Sequence, residues 1–203
     1  MNLNFSFYLL KKRFQQKIKG LAFFLLKLKI TANQVTLFAL LICALTGTLI
    51  FFSKSDSFRI YLLLVPVLFF FRILLNVLDG VLAVEGSQIS NFGLVLNEFS
   101  DVLSDFFIFF PFLFFLELNK ILLIVFMFLA LLSEFAGVLA FMLCSKRGYE
   151  GPMSKPDRLF IFALTCISLG TGIFVDKLNY LLLVSNLLLL CTIYNRLRSG
   201  LRS

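Results

Sequence analysis

Runs of apolar residues, 15 to 25 long, recur along the whole chain and are interrupted only by short charged or turn-forming stretches. About 20 apolar residues in helical conformation cross the roughly 30 Å hydrocarbon core of a bilayer. The alternating pattern of a transmembrane barrel, repeating over about ten residues, is absent. Of 203 residues, 60% are hydrophobic and 15% charged, and 28 are Phe. A soluble domain is nearer half apolar and a quarter charged. One small core cannot bury this much apolar side chain, so a soluble fold is excluded. Disorder, collagen-like repeats and coiled coils are excluded by the same composition. The chain reads as an all-α polytopic membrane protein.

Six spans are predicted, at residues 34–52, 59–83, 92–116, 120–144, 158–175 and 178–195. Residues 1–30 are mixed: Phe5, Phe7, Leu9 and Leu10 precede the basic run Lys11, Lys12, Arg13, Lys17 and Lys19. The apolar patch Leu21 to Leu26 is too short to span, so an amphipathic helix on the membrane surface is expected here. The chain is then one domain over 1–203, with a juxtamembrane segment at 1–30 and a six-helix bundle at 31–203. Lys and Arg favour the cytoplasmic side of a membrane protein. Fourteen of them fall on the side of the termini and the second and fourth loops, against four on the other side. Both termini are therefore expected to be cytoplasmic, in a bacterial inner membrane.

The net charge of +8 points to anionic lipid headgroups and phosphorylated substrates, not to nucleic acid, because the basic residues lie between apolar spans. The chain contains no His, which removes serine-type triads and the commonest general base. Its four Cys, at 43, 144, 166 and 191, have no CxxC spacing and give no disulfide framework or zinc site.

Ionisable groups inside spans are costly and mark function. Here they are Arg72, Asp79, Glu98, Asp101, Asp105 and Glu134. Asn76 and Asp79 are three residues apart and share a helix face; Asn97, Asp101 and Asp105 step by four along another. Two antiparallel helices joined by a short loop bring such faces together, giving oxygen ligands suited to Mg²⁺ or Mn²⁺ and to substrate phosphates. Gly80 and Gly93 remove side chains beside the cluster, so that a bulky ligand approaches the backbone. Two other readings of these polar groups remain open: hydrogen-bonded helix association, and an ion or proton path through Glu134.

The order Asn76, two residues, Asp79-Gly80, two residues, Ala83-Val84, eight residues, Gly93, three residues, Asn97, three residues, Asp101 resembles a family signature. That signature, D-x2-D-G-x2-A-R-x8-G-x3-D-x3-D, belongs to the CDP-alcohol phosphotransferases. The run Thr31-Ala32-Asn33, two residues, Thr36 is similar to the family's T-P-N-x-x-T opening. Every spacing agrees. Asn76 and Asn97 stand where the family has its first and third aspartates, and Val84 where it has Arg, a pattern resembling a distinct bacterial branch.

The resemblance implies transfer of a phosphatidyl group from a CDP-linked lipid, usually CDP-diacylglycerol, to a polar alcohol, with release of CMP. It implies Mg²⁺ or Mn²⁺, one or two ions, on Asn76, Asp79, Asn97 and Asp101, with Asp101 as the general base. It places substrate contacts at Asn33, Thr36, Gly80, Ala83 and Gly93, and implies a homodimer. The fourth loop, residues 145–158, holds Lys146, Arg147, Lys155 and Arg158. These resemble a basic segment near the acceptor pocket of related transferases and are expected to contact phosphate; fixing topology is the other reading. With two carboxylates replaced by amides, weaker metal binding is expected, with one ion held firmly and more reliance on the substrate diphosphate. A catalytically impaired member that binds nucleotide-lipid without turnover is the alternative.

Overall fold

The computed structural model describes residues 8–144 and 151–201. Among them there is no strand. The elements are α1 (Tyr8–Lys27), α2 (Ala32–Phe52), α3 (Val65–Glu85), α4 (Asn91–Phe109), α5 (Lys120–Cys144), α6 (Lys155–Thr171) and α7 (Leu178–Leu201). Tighter 3₁₀ turns at Asp56–Leu64 and Phe110–Phe114 extend the start of α3 and the end of α4. Each long helix after α1 coincides with one predicted span. Among the described residues, four helices are long and apolar enough to cross a membrane: α2, α3 with its preceding turn, α5, and α7 with its preceding turn. The other two pack in the same bundle but fall short of that criterion. Helix α4 carries Glu98, Asp101 and Asp105, and α6 is 17 residues long and begins with Lys155, Asp157 and Arg158.

Local chemistry sets the helix boundaries. Thr31 caps α2 in a capping box: its Oγ1 accepts from Gln34 N at 3.3 Å, and its N–H donates to Gln34 Oε1 at 2.9 Å. Ser90 caps α4 by accepting from Gly93 N at 3.0 Å. Ser154 and Asp157 form a second capping box at α6, and Pro156 occupies the first turn, where its missing N–H costs nothing. Gly172, at φ 75°, ends α6 in the left-handed region.

The core is aromatic. Phe109 meets Phe162 at 4.5 Å between ring centroids and Phe126 at 5.2 Å, edge to face. Phe112 meets Phe162 at 4.8 Å. This cluster ties α4, α5 and α6 together, each such pair adding about 0.5–1.5 kcal/mol beyond its area. Large apolar side chains also cover the outside, including Phe70, Phe71, Leu131 and Phe135. Lipid-facing surface accounts for them; water-facing surface would not. Helix α1 rests Ile18 and Ala22 on Val77, Leu78, Val81 and Leu82 of α3, and Lys19 pairs with Glu85 at 2.6 Å.

Small residues allow the closest helix contacts. A Cβ on Gly47 of α2 would lie 2.2 Å from the carbonyl oxygen of Phe107 on α4. Gly47→Ala therefore must part α2 from α4. We expect it to lower stability by about 1–3 kcal/mol, measured as an earlier thermal unfolding midpoint in detergent. An unchanged midpoint would mean that the two helices separate freely.

Candidate active site

The polar groups of five helices meet in the interior. Helix α3 contributes Arg72, Asn76 and Asp79 at intervals of four and three, one continuous face. Helix α4 contributes Asn97, Asp101, Ser104 and Asp105 in the same way. Helices α5, α6 and α7 add Ser133 with Glu134, Lys155 with Arg158, and Arg196. Helices α3 and α4 each pack against α2 and not along one another, and the side chains of Arg72 and Asn76 bridge from α3 to Asp101 on α4.

Asp101 is the hub. Its Oδ1 accepts from Arg72 Nη2 at 2.7 Å and from Asn76 Nδ2 at 3.2 Å, both on α3. Lys155 Nζ lies 2.6 Å from the same oxygen and donates to the Asp101 backbone carbonyl at 3.1 Å. Among the described residues, every hydrogen bond to this carboxylate falls on Oδ1. Arg72 Nη2 also reaches Ser104 Oγ at 3.4 Å. Asp79, also buried, accepts from Thr36 Oγ1 of α2 at 2.9 Å. Beside it, Gly80 is exposed, and a Cβ there would meet nothing within 4 Å. Open space therefore adjoins α3 at Gly80, the residue after Asp79.

The α2 N-terminus is drawn to the same region. Ala32 N donates to Gln88 Oε1 at 2.8 Å, across the α3–α4 link. A Cβ on Gly93 would sit 3.0 Å from Asn33 Oδ1, so the glycine makes room for this asparagine against the first turn of α4. Asn33, Thr36, Asn76, Asp79, Gly93 and Asp101 are thus gathered by three helices. Ala83 is half-buried on α3, four residues beyond Asp79. Asn97 is half-buried one turn before Asp101 on the same face.

A second ionic cluster lies behind the first. Arg158, fully buried, places Nη2 2.8 Å from Asp105 Oδ2 and 2.7 Å from Glu134 Oε1, and donates through Nη1 to Ser133 Oγ at 3.0 Å. Arg196 Nη1 lies 3.7 Å from Glu134 Oε1 and donates to the Ser133 carbonyl. Lys155, 3.9 Å from Asp105 Oδ1, joins the two clusters. Gly151, at φ 134°, lets the chain press against α7, where a Cβ would lie 2.6 Å from Thr192 Cγ2. Met153 N then donates to Thr192 Oγ1 at 3.0 Å. These contacts seat the start of α6, and with it Lys155 and Arg158, over Asp101 and Asp105.

One expectation changes in detail. Arg158, expected at phosphate, is enclosed by Asp105, Glu134 and Ser133. Its guanidinium therefore positions α4, α5 and α6 and presents no open face to a ligand. Lys155, partly exposed, keeps access to the surface. Lys146 and Arg147 lie outside the described residues. Neither Arg196 nor Ser133 is among the candidate residues that the sequence marks. Arg196 lies four residues after Thr192, which pointed its face into the bundle, whereas a buried Ser in an apolar helix has no distinguishing spacing.

The donor set can be tested against a divalent ion. Asn76, Asp79, Asn97 and Asp101 offer hard oxygens but only two charges. Among the described residues, no three Asp, Glu or Cys stand close enough to hold a metal by themselves. Asp101 is already paired with Arg72 and Lys155. By donor type and charge these residues suit no more than one divalent cation.

A family model for CDP-alcohol phosphatidyltransferase matches residues 29–194. Inner membrane protein YnbA of Escherichia coli K12 is 40% identical over 199 residues, which are 97% of this chain and 96% of that protein. The fold is similar to that of Mycobacterium tuberculosis phosphatidylinositol phosphate synthase with CDP-DAG bound: TM-score 0.70 at 21% identity, covering 90% of this chain and 92% of that one. The same synthase in complex with manganese and citrate also gives a TM-score of 0.70 at 21% identity, over 90% and 88% of the two chains. The signature spacing, the convergence of α2, α3 and α4 on Asp79 and Asp101, and the match over residues 29–194 agree: the chain belongs to the CDP-alcohol phosphatidyltransferase family.

Proposed function

We propose that this protein transfers a phosphatidyl group from CDP-diacylglycerol to a polar alcohol and releases CMP, as a step of phospholipid synthesis in a bacterial inner membrane. The observation that carries this reading is the gathering of Asn76, Asp79 and Asp101 beside the open space at Gly80, in a chain that matches the family over residues 29–194. The reading is also supported by a fold shared with a synthase crystallised with CDP-DAG. All six helices α2–α7 span the membrane in this proposal, α1 lies on its surface, both termini are cytoplasmic, and two copies form a homodimer.

In this mechanism the donor diphosphate lies against the face of α3 and α4, where Gly80 admits it, with Asn33, Ala83 and Gly93 nearby. A Mg²⁺ or Mn²⁺ ion, held by Asp79, Asn76, Asn97 and Asp101, would supply charge neutralisation of the phosphates. The acceptor oxygen attacks the phosphorus that carries the lipid, and the bond from that phosphorus to the oxygen of CMP breaks. Asp101 takes the acceptor proton at Oδ2, since Oδ1 is engaged by Arg72, Asn76 and Lys155. Asp101 then passes the proton to water. Thr36 holds Asp79 in place through its hydroxyl. Lys155, with Lys146 and Arg147 earlier in the sequence, binds the phosphate of donor or acceptor.

A second reading has one specific observation behind it. Asp101 shares its Oδ1 with two cations, an arrangement that weakens a base, and two further ligand positions are amides. A protein that binds CDP-lipid without turning it over would have such a site. The deciding experiment measures CMP release from CDP-diacylglycerol by the purified chain in detergent, with Mg²⁺, Mn²⁺ or chelator and a panel of alcohols. Metal-dependent CMP with a new phospholipid establishes the transferase and names the acceptor. Protection by CDP-lipid in a thermal shift without CMP establishes the binding protein. Asn76→Asp should tighten Mn²⁺ binding by adding a charge to the donor set; equal or weaker affinity would count against a shared site.

A further inference from the structure

Among the described residues, the carboxylates and cations of the interior clusters are equal in number. Four carboxylates, Asp79, Asp101, Asp105 and Glu134, face four cations, Arg72, Lys155, Arg158 and Arg196. Half-buried Glu98 has a partner of its own. Near Gly80 the balance is local: Arg72 and Lys155, which both pair with Asp101, equal Asp79 and Asp101 in number. A divalent ion added to this set would leave two uncompensated positive charges in a poorly solvated site. An excess of that size is strongly unfavourable at low effective dielectric. A diphosphate diester carries two negative charges and removes the excess.

We propose that Arg72 and Lys155 exclude a resident divalent cation, so that a single ion enters only together with the donor's diphosphate. The inference rests on the phosphatidyl-transfer reading for the identity of that diphosphate. Arg72 and Lys155 act here as positioning residues. Their ion pairs hold Asp101 in place before the donor arrives, at 2.7 and 2.6 Å. Lys155, the more accessible of the two, is the one free to shift from Asp101 to phosphate when the donor binds. Arg72 is buried on α3 and held also by Ser104, so it stays. The chain would thereby bind donor and metal as one unit.

The test counts bound Mn²⁺ by the loss of its free electron paramagnetic resonance signal, using the full chain in detergent. Wild type should take up no stoichiometric Mn²⁺ alone and one equivalent with CDP-diacylglycerol. Arg72→Met should bind Mn²⁺ without the lipid, roughly tenfold or more tighter than wild type. Arg72→Lys keeps the charge and should behave as wild type. Lys155→Met tests the same point at a less buried position if Arg72→Met does not fold. Two equivalents on wild type, or one bound equally well without the lipid, would overturn the proposal. So would the absence of any gain in both methionine variants. If the lipid promotes no uptake but Arg72→Met still gains Mn²⁺, the CDP-lipid reading falls, and the exclusion of metal by Arg72 stands.

Discussion

Asp101→Asn should reduce CMP release from CDP-diacylglycerol by roughly 10²–10⁴-fold, the usual loss when a general base is removed. The substitution keeps size and shape but takes away the group that would accept the acceptor proton. It also leaves Arg72 and Lys155 facing a neutral amide, so the unfolding midpoint should fall. Turnover and folding must therefore be read separately. CDP-lipid should still raise the midpoint of the variant, because Asn33, Asn76, Asp79 and the Gly80 opening remain. Lost turnover with retained protection assigns Asp101 to the chemical step. Unchanged turnover removes it from the mechanism.

Arg158→Met should have the largest effect on stability. The side chain is fully buried, and its removal takes the shared guanidinium away from the buried Asp105 and Glu134, Arg196 standing 3.7 Å from Glu134 and Lys155 3.9 Å from Asp105. Breaking one partner of a buried ion pair costs about 3–5 kcal/mol. The variant should unfold well below wild type in detergent. The triple change Arg158→Met, Asp105→Asn, Glu134→Gln removes the stranded charges and should recover much of the loss. A wild-type midpoint for the single variant would show that this cluster does not hold the helices together. Recovery in the triple variant without recovery of CMP release would show that the cluster also positions α4 for catalysis.

The helical membrane character and the two faces that meet at the site were legible in the chain. Spacings of three and four between Asn76 and Asp79, and between Asn97 and Asp101, permit only shared helix faces. The five-residue link keeps the ends of α3 and α4 near one another, and packing of both helices on α2 brings those faces within side-chain reach. Capping residues at Thr31, Ser90 and Ser154 mark helix starts by chemistry that is local to each turn. The predicted span at 59–83 overlaps a 3₁₀ stretch at Asp56–Leu64, and the span at 92–116 contains one at Phe110–Phe114. Prolines 66 and 111 lie at those junctions and were readable, but the tighter winding depends on neighbouring helices.

The sequence by itself determined the class of fold, the positions of the long helices and the α3–α4 half of the site, because periodicity and composition are local properties. Only the tertiary structure decided which charge meets which. Arg158, Asp105 and Glu134 are 24 to 53 residues apart, and Lys155 and Asp101 are 54 apart. No local rule pairs them. Rotation of α6 about its axis, set by Phe162 in the aromatic core and by the seat of Gly151 on Thr192, chooses burial for Arg158 and access for Lys155. Ion pairs of this kind follow packing, since a charge inside a bilayer-spanning bundle is tolerated only where a partner already waits.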